Sequence, residues 1–580
     1  MAEITAPEYI SPYVVTTAGG LVLDRDVYTM PVGAASILQN FEPSVTGGYR
    51  RLSGTTKYST SQVGSSSGTI LGVAIYNNGV VVAQSTNVYF GTGGTWTSID
   101  SSRSGAGRYR FERYNFNTNE ERLIFVDGTN KAGVYNGTTI LDIQGSTAIS
   151  TTATADNSDT TLAVASAAGI VAGMYISGTN IAGGATVSSV SGTEVTMSAA
   201  TTNAITSITG DISFAGKGTT APSDPSMVAA HKNHMFYAGM ASTPNTIQFS
   251  AIGDENDFTA GNGAGSLNVD STIVALKSFR DDLIIFCEDR IYKLTGSALA
   301  DFAITPVSRN VGCSDGFSVQ EIGGDVIFLA PDGLRTIAGT ARIGDVELGT
   351  ISKQIQQRIN EVGFDNISSV VIRNKSQYRL FYPTTGGVES ACKGVIGVIK
   401  ANPQGQIGWE YSDLRGLKPS SCDSGFISGS ETIVHGGYDG YVYKQESGND
   451  FAGTAMTALY RSPDLTMGDA GIRKTMQRIN VNYDPEGAVN VSLFIKYDFE
   501  DASVPQPSAY TLTTADTAAV YGNSGSLYGS AVYGAEGIPI VRQSIEGSGF
   551  TVVVRLSDTS TNPPITLKGF ELEFTPGARM

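Results

Sequence analysis

Short apolar runs recur along most of the chain, and each is followed by a tight polar turn and a second apolar run. Segments such as VVVAQSTNVYFG and RLIFVDGTNKAGVYNG show this pattern. Turns of this type supply positive φ angles between alternating or buried strands, which is a β-hairpin signal, so the pattern predicts an all-β fold. Seven such units centre on Val82, Phe125, Phe236, Phe286, Phe328, Phe381 and Val434.

The spacing of these units indicates how the strands are organised. Successive centres lie 43, 111, 50, 42, 53 and 53 residues apart, and removing a distinct block of about 70 residues from the long interval leaves roughly 41. A period of about 40 to 50 residues is the length of one four-stranded propeller blade. The spacing therefore predicts a β-propeller-like core of six or seven blades. A chain of β-sandwiches is the alternative, because sandwiches also contain short strands at regular intervals.

The block of residues 146–216 differs from the rest of the chain in composition. It contains no Lys or Arg, is rich in Ala, Ser, Thr and Gly, and alternates apolar and polar residues between glycine turns. We therefore predict an inserted small β-sandwich module that projects from a blade loop, where insertions are tolerated. Its expected core consists of Leu162, Val164, Met174, Ile176, Val187, Val190, Val195 and Met197.

One helix is predicted in the segment GTISKQIQQRINEVGF. Its apolar residues Ile351, Ile355, Ile359 and Val362 follow a 4, 4, 3 spacing, and Gly363 stands where the helix should stop. We interpret it as a short packing helix that covers a blade edge.

Regular alternation returns after about Asp450 and predicts a C-terminal antiparallel β-domain. Within it, Tyr521, Tyr528 and Tyr533 are each followed by Gly, which is compatible with an adhesive interface or with a compact loop. The predicted organisation has four segments: an N-terminal segment with the first blades (1–145), the inserted module (146–216), the remaining blades with the short helix (217–450) and the C-terminal β-domain (451–580).

Composition supports a folded β-protein and limits its partners. Hydrophobic residues make up 41% of the chain and charged residues only 16%, while the 69 glycines suit many tight turns. The net charge of -16 argues against tight nucleic-acid binding, which depends on Lys and Arg contacts to phosphate. It is compatible with a channel wall past which DNA slides without sticking. The opening residues show no signal-peptide pattern, and no apolar run reaches about 18 residues, so we expect no membrane span.

Residues suited to metal binding or nucleophilic chemistry are few. His231 and His234 lie in the segment HKNH, where one strand would place them on opposite faces and make them poor joint metal ligands; His435 stands alone. No P-loop or H-E-x-x-H motif occurs. The four cysteines form no CxxC pair, and we expect buried free thiols rather than a disulfide or a metal site: Cys287, Cys313, Cys392 and Cys422.

An enzymatic function would need a suitable pair of carboxyl groups, as in glycoside hydrolysis. Turn-capping is the favoured role for the acidic candidates, because any chain of this length contains such groups. The segment GTGGTWTS retains only part of a sialidase-type turn, so Trp96 is interpreted as a blade-packing residue. We therefore expect a non-enzymatic protein without catalytic residues, metal ligands or cofactors. The acidic candidates are Asp254, Glu255, Asp257, Asp281 and Asp282.

The N-terminal region is locally basic and rich in aromatic residues. Arginine interleaved with aromatic side chains can serve single-stranded nucleic acid. Strand alternation explains the pattern equally well, with Tyr109, Phe111 and Arg113 on one face and Arg108 and Arg110 on the other. The preferred functional interpretation is a salt-bridged interface to an acidic partner or a neighbouring subunit. The remaining residues of the region are Arg50, Arg51, Lys57, Arg103 and Tyr114.

Several segments resemble one viral family. The opening GGLVLDRDVYTMPVGAASILQNFEPSVTGGYRRLSGTTKYS, with Gly20–Leu21, Asn40 and the R-R-x-x-G-T turn at Arg50–Thr55, resembles the opening of podovirus tail nozzle proteins. These are also called tail tubular protein B, and packaged-DNA stabilisation proteins are related to them. The segments VAAHKNHMFYAG, IVALKSFRDDLIIFCEDRIYKLTG and GDAGIRKTMQRINV and the closing L-x-G-F-x-L-E-F-T-P-G-x-R are also similar to this family. The resemblance covers nearly the whole chain except residues 146–216.

The resemblance implies a structural role in a virion tail. It implies a homohexameric ring below the head-to-tail adaptor ring, a central channel for viral double-stranded DNA without sequence-specific binding, and surfaces that attach tail fibres or spikes. The chain is shorter than the larger nozzle proteins, so their extra domains and gate loops are not expected here. Two alternatives remain: a carbohydrate-binding or carbohydrate-degrading tail protein built on a β-propeller, and a cellular β-propeller scaffold.

Overall fold

The computed structural model describes residues 10–26, 28–101, 103–105, 107–116, 120–138, 140–143, 149–168, 170, 172–215, 222–337, 350–363, 366–383, 392–401, 407–487, 489–514 and 540–579. The chain forms two compact units: unit 1 comprises Met1–Thr69 and Gln320–Met580, and unit 2 comprises Ile70–Val319. Nearly all regular structure is β, which confirms the predicted fold class. Within the described ranges, no helix has the length and apolar character needed to span a membrane.

The strands are numbered in chain order. The first strands of unit 1 are β1 (Ser11–Thr16), β2 (Ile37–Gln39), β3 (Phe41–Pro43), β4 (Tyr49–Arg51) and β5 (Thr55–Lys57). Unit 2 contains β6 (Ile70–Tyr76), β7 (Gly79–Gln84), β8 (Asn87–Gly91), β9 (Trp96–Asp100), β10 (Arg110–Tyr114), β11 (Arg122–Val126), β12 (Gly133–Tyr135), β13 (Ile140–Asp142), β14 (Ile149–Ala155), β15 (Thr161–Val164), β16 (Tyr175–Ser177), β17 (Val187–Ser191), β18 (Glu194–Met197), β19 (Ile205–Ala215), β20 (Met227–His231), β21 (His234–Ala238), β22 (Thr246–Phe249), β23 (Gly265–Asn268), β24 (Ile273–Phe279), β25 (Asp282–Cys287), β26 (Ile291–Thr295) and β27 (Ala303–Ser308).

Unit 1 continues with β28 (Gln320–Ile322), β29 (Asp325–Ala330), β30 (Gly333–Thr336), β31 (Ser368–Ile372), β32 (Gln377–Pro383), β33 (Cys392–Ala401), β34 (Ile407–Arg415), β35 (Ser421–Ile427), β36 (Ser430–Gly436), β37 (Val442–Gln445), β38 (Ala458–Arg461), β39 (Ile472–Pro485), β40 (Val489–Tyr497), β41 (Tyr510–Thr514), β42 (Ile540–Ser544), β43 (Ser548–Gly549), β44 (Val552–Asp558) and β45 (Ile565–Arg579). The helix α1 (Gln356–Ile359) follows a 3-10 turn at Lys353–Ile355. It confirms the predicted short helix, because Ile355, Ile359 and Val362 are buried in the core of unit 1.

Unit 2 contains four small antiparallel sheets of the blade type: β6–β9, β10–β13, β20–β23 and β24–β27. Two-residue turns connect the first two strands in three of these sheets, namely β6–β7, β20–β21 and β24–β25; Asn77 and Asn78, for example, both have positive φ. Phe125, Phe236 and Phe286 are fully buried, as the hairpin pattern predicts. Phe125 packs between the β6–β9 and β10–β13 sheets, and Phe236 packs between the β20–β23 and β24–β27 sheets, because one sheet cannot bury both of its faces alone.

The inserted module (β14–β19) has its own apolar core, as predicted. Its strands form one sheet in the order β16-β19-β14-β15-β18-β17. The two edges of this sheet join, because Val187 N–H donates to the Met174 carbonyl at 2.8 Å and Ile176 N–H donates to the Ala185 carbonyl at 2.8 Å. The predicted sandwich therefore takes the form of a sheet closed around its core. All eight predicted core residues line it, although Val190 is only partly buried.

Unit 1 contributes two further sheets of the blade type. One consists of β28–β30, and the other is β35-β36-β37 completed by the N-terminal strand β5. Tyr443 of β37 lies opposite Lys57 of β5, so a strand from the beginning of the chain closes a sheet formed near residue 440. The described chain therefore contains six sheets of the blade type, four in unit 2 and two in unit 1, which is the kind of sheet that the predicted β-propeller-like fold requires.

The C-terminal strands of unit 1 are antiparallel, as predicted, but they pair with the beginning of the chain. A seven-stranded sheet contains β3-β4-β45-β39-β42 together with β1 and β43. A nine-stranded sheet has the order β31-β32-β33-β34-β2-β38-β44-β40-β41, in which β2 lies parallel to β34. The chain divides into two compact units, and the organisation into four segments stays a prediction. The short N-terminal strands bury their apolar residues, including Val15, Leu38 and Phe41, in the same core as the C-terminal strands.

Candidate functional site: a buried charge cluster in unit 1

The densest group of buried charges lies where β3, β32 and the end of β37 meet. Glu42 of β3 accepts from Lys375 Nζ at 2.6 Å through Oε1 and forms an ion pair with Arg379 Nη2 at 3.3 Å through Oε2. Glu446, which follows β37, pairs with Lys375 at 2.5 Å and with Arg379. The side chains of Arg379 and Glu42 are only 2% and 3% exposed. We call Glu42, Lys375, Arg379 and Glu446 the buried charge cluster.

Amide side chains complete the hydrogen bonding of the buried charge cluster. Gln377 Nε2 donates to Glu42 Oε2 at 2.9 Å, and Arg379 Nη1 donates to Gln445 Oε1 at 2.9 Å. Gln445 Nε2 also lies 3.3 Å from His435 Nδ1. Buried charges are tolerated when their partners and hydrogen bonds are present, and these contacts meet that condition.

The protonation states in the buried charge cluster do not suit acid–base catalysis. Burial by itself would raise the pKa of Glu446, but Arg379 and Lys375 outweigh it and hold the pKa well below its usual range. Burial lowers the pKa of His435 to about 3. At neutral pH the carboxylate is ionised and the imidazole is neutral, and neither is close to exchanging a proton. The arrangement instead binds three distant segments together.

Two other carboxyl groups, the buried Asp413 and the partly buried Asp142, have raised pKa values, which is the property that a general acid needs. Burial raises the pKa of Asp413, which forms ion pairs with Arg358 at 3.0 Å and Arg415 at 3.5 Å. Burial likewise raises the pKa of Asp142, which pairs with Arg103 at 2.6 Å. Each of these carboxylates is therefore engaged by arginine, as in a structural ion pair.

A cavity of about 350 Å³ lies beside the cluster and is lined by residues that include His435, Asp439, Tyr443 and Phe451. The His435 and Tyr443 rings stack with centroids 5.1 Å apart. Tyr443 Oη donates to Asp439 Oδ2 at 2.6 Å, and burial together with this bond raises the pKa of Tyr443. The cavity thus combines aromatic faces with polar groups whose protons are held in place.

The structure corrects the predicted placement of two histidines. His231 and His234 do not share a strand: His231 ends β20, His234 begins β21, and they lie directly opposite each other. The prediction was wrong because HKNH is itself the hairpin turn, with positive φ at Lys232 and Asn233. His231 Nδ1 lies 2.8 Å from Ser278 Oγ, and His234 Nδ1 lies 2.6 Å from the Ser250 carbonyl. In the described part of the chain, no three His, Cys, Asp or Glu side chains are grouped as metal ligands.

Two of the acidic candidates, Asp254 and Asp257, cap turns as expected, whereas the other three form ion pairs. Asp254 Oδ1 accepts from Asn256 N–H at 3.0 Å, and Asp257 Oδ1 accepts from Thr259 N–H at 2.9 Å. Glu255 pairs with Arg122 at 2.6 Å. Asp281 and Asp282 pair with lysines at 2.9 Å and 3.3 Å respectively.

Several basic candidates have partners within the chain. Arg51 is fully buried and lies 3.0 Å from Asp558, and Arg103 pairs with Asp100 at 2.6 Å. Arg108 and Arg110 lie over the Phe317 ring at 3.8 Å and 4.3 Å. The expected alternation is confirmed, because Tyr109 and Phe111 pack on the opposite side in an apolar cluster. Two further candidates also have partners within the chain: Arg50 pairs with Glu42 and Glu486, and Lys57 lies over the Tyr441 ring.

The four cysteines are free thiols, and the ring of Trp96 packs against Gly91. Cys287 and Cys313 are buried free thiols, and burial raises the pKa of both to about 12, so neither forms a reactive thiolate at neutral pH. Cys392 and Cys422 are also free and are partly buried. Trp96 begins β9 and its ring lies so close to Gly91 that a Cβ there would meet it at 2.6 Å. The predicted tyrosine-glycine loop, with Tyr521, Tyr528 and Tyr533, lies outside the described residues.

Sequence reasoning missed the buried charge cluster. Its members come from segments centred on residues 42, 377 and 446, and no local motif connects them. One signal was available: Arg379 stands inside QYRLFYP, a strand buried at every position. A charged residue inside such a strand needs a buried partner, although the sequence does not say which residue supplies it.

Comparison with known proteins returns only distant likenesses. No family model matches the chain, and no curated protein matches it. The computationally designed Ika8 protein is similar at 13% identity and a TM-score of 0.32, over 67% of this chain and 99% of that one. An exo-β-1,3-galactanase from Phanerochaete chrysosporium reaches 9% identity and a TM-score of 0.24, over 90% and 100% of the two chains. An ancestral GH74 enzyme reaches 9% identity and a TM-score of 0.28, over 71% and 51%. Such low scores carry no inference about function.

Proposed function

We propose that this protein is a structural component of the tail of a short-tailed phage. In this role it forms the nozzle ring that extends the DNA channel, helps to retain packaged DNA and releases it into the host. The proposal starts from the resemblance to tail nozzle proteins. One structural observation supports it: the residues that carry the resemblance at the two ends of the chain join in one unit.

The closing signature forms β45, which pairs with β1, β4 and β39. In the opening signature, Arg51 forms its buried ion pair with Asp558, at the end of β44. Asn40, at a positive φ, donates to the Thr457 carbonyl at 2.8 Å and accepts from Arg415 N–H at 2.8 Å. These residues hold strands together and take no part in a reactive site, which is what a structural protein requires.

Gly20 of the opening signature occupies a position where the backbone requires glycine. Its φ is +68°, and a Cβ at this position would meet Tyr411 N at 2.7 Å. Only glycine combines this conformation with such a close backbone approach. The signature is therefore a packing requirement of unit 1.

Charge also supports the proposal. The net charge of -16 makes the surface unsuited to binding DNA tightly, and several arginines of the basic region are engaged in internal contacts. A channel wall that repels phosphate weakly lets DNA pass without sequence-specific binding. The ring would occupy the virion tail, with the adaptor ring above it and fibres or spikes attached to it.

A carbohydrate-binding or carbohydrate-degrading tail protein built on a β-propeller is the alternative. The cavity beside the buried charge cluster favours it to a limited extent, because Tyr443, Phe451 and Asp439 place aromatic and polar groups in one recess. The ion-paired carboxylates of unit 1 argue against catalysis there.

Size measurement together with imaging separates these functions. We expect the purified 60.7 kDa chain, analysed by sedimentation and negative-stain microscopy, to form six-fold rings with a central hole. Tyr443→Ala should leave these rings intact. A monomer that cleaves or binds polysaccharide, and loses this activity in Tyr443→Ala, would contradict the nozzle proposal and support the alternative.

A further inference from the structure

The cavity beside the buried charge cluster has the size of a small-ligand site. Its volume is about 350 Å³, and pockets that hold small molecules have volumes of roughly 300–1,000 Å³. The segments of unit 1 that line it include the turn from β36 to β37 and the loops 416–418 and 451–454. The volume therefore suits one ring-shaped molecule of modest size.

Two aromatic rings of the lining are held in fixed positions. The Tyr443 ring stacks on His435 with an interplanar angle of 17°, and its Oη donates to Asp439 Oδ2 at 2.6 Å. Phe451 lies against Gly416, where a Cβ would meet its ring at 2.8 Å. Rings that are fixed before a ligand arrives lose little further side-chain freedom when it binds.

The formal charges of the lining cancel. Lys418 and Asp439 are the charged residues among the described ones that line the cavity, and His435 is neutral at pH 7 because burial lowers its pKa to about 3. Asp439 Oδ1 accepts from Tyr441 N–H at 3.2 Å, and Oδ2 accepts from Tyr443. A carboxylate has about four lone-pair positions, so about two remain for a ligand. Lys418 is exposed, and its ammonium group carries three donors.

We propose that this cavity binds a single neutral pyranose unit, whose ring packs against Tyr443 and Phe451 while a hydroxyl group donates to Asp439. A pyranose has apolar C–H faces that suit aromatic rings, and hydroxyl groups that both donate and accept. It carries no net charge, which matches the lining. The inference names the ligand of the carbohydrate-binding alternative and rests on that alternative, but it involves no catalysis and is compatible with a nozzle ring.

The test uses the full chain and three probes, the methyl pyranosides of glucose, galactose and mannose. Saturation-transfer NMR should show saturable contact between the protein and at least one of these sugars. Cyclohexanol has a ring without the array of hydroxyl groups, and glycerol has hydroxyl groups without the ring. Neither compound should displace the bound sugar.

Histidine signals show where the sugar binds. The chain has three histidines, so labelling of their rings allows each signal to be followed. The sugar should shift the signal of His435, which stacks with Tyr443, in a saturable way. The signals of His231 and His234, which belong to unit 2, should stay unchanged.

Matched variants test the aromatic contact. Phe451→Leu removes one aromatic face while it keeps an apolar side chain, and it should weaken sugar binding about tenfold. Phe426→Leu makes the same change at a phenylalanine that is 59% exposed and does not line the cavity, and it should leave binding unchanged. Each variant is first checked for native circular dichroism, and Tyr443→Ala provides a second test if Phe451→Leu does not fold.

The possible failures are distinguishable. If none of the sugars binds, both this proposal and the carbohydrate-binding alternative are overturned. If a sugar binds without shifting the His435 signal, or if the two leucine variants weaken binding alike, this site is overturned and the alternative stands. Tighter binding of methyl glucuronide than of methyl glucoside would overturn the choice of a neutral sugar. Sedimentation of the same samples shows whether rings are present, so the nozzle proposal is judged separately.

Discussion

The buried charge cluster of unit 1 and the inserted module of unit 2 are stabilised in opposite ways. The module closes one sheet around apolar side chains that all lie within 67 residues, 149–215, and it contains no Lys or Arg. The buried charge cluster connects Glu42 with Arg379 and Glu446, residues that lie more than 300 positions away from it in the chain.

The difference shows what each kind of contact contributes. Apolar burial is non-directional, so a local segment can collapse around any set of apolar residues of suitable volume. A buried charge is tolerated only beside its partner, and therefore penalises an arrangement that brings the wrong segments together. Four predictions test this difference between the two regions, in order from the largest expected effect to the smallest.

Removing one charge from the cluster should have the largest effect. Arg379→Met removes the most deeply buried cation of the cluster and leaves the partly exposed Lys375 as the cation that Glu42 and Glu446 share. We expect the free energy of unfolding of unit 1 to fall by about 3–5 kcal/mol. Urea unfolding followed by the fluorescence of Trp409, which packs against the core of unit 1, measures this in a Trp96→Phe background. Arg478→Met is the matched control, because that arginine is half exposed and lies 3.9 Å from Glu573. If both variants lost the same free energy of unfolding, the cluster would contribute no more to stability than an exposed ion pair does.

Shortening a core side chain of the module should have a large but local effect. Leu162 is fully buried, and Leu162→Ala should cost about 3 kcal/mol, mainly from the lost apolar contacts and the cavity left behind. Hydrogen exchange should show faster exchange throughout 149–215 and unchanged protection in β33 and β34. Val190→Ala, at a partly buried position, should lower the stability of the module by a smaller amount. Loss of protection in β33 and β34 would show that the module does not fold on its own contacts.

Acid should weaken unit 1 through the groups at the cluster. The pKa of Glu446 is lower in the folded chain than its ordinary value of 4.5, so its stabilisation is complete above pH 4.5 and declines as the pH falls through the lowered value. His435, with its pKa lowered from 6.5 to about 3, acts in the same direction, because the unfolded chain takes up the proton first. Urea midpoints reported by Trp409 should therefore fall between pH 6.5 and pH 3. In Glu446→Gln the part of this decline below pH 4.5 should be smaller, and an unchanged profile would contradict the assignment.

Adding a charge to the module surface should have the smallest effect. Ala163 is exposed and lies opposite Glu194, so Ala163→Lys creates a cross-strand pair of opposite charges and should change stability by less than about 0.5 kcal/mol. Thermal unfolding of the purified variant checks this. A large loss would mean that the absence of Lys and Arg from this block is a requirement of its fold. The matched change Ala153→Lys, at a fully buried site, should disrupt the module.

Local pattern was sufficient for the elements whose partners are close in sequence. Hairpin turns predicted the strands around Phe125, Phe236 and Phe286, and all three side chains are fully buried. The composition of 146–216 predicted an independent module and its core residues. The 4, 4, 3 spacing predicted the face of the short helix that packs against the core. Local pattern misplaced His231 and His234, because alternation was applied across a turn.

The amino-acid sequence by itself determined the all-β class, the hairpin units and the inserted module, because strand periodicity and turn chemistry act over a few neighbouring residues. Only the tertiary structure decided that β5 completes the sheet of β37, that β45 joins β1 and β4, and that Arg379 meets Glu42. These pairings depend on which distant segments share a core. The sequence reveals that a buried charge or an edge strand needs a partner. Which segment supplies that partner depends on the folded chain, which brings complementary groups together away from water.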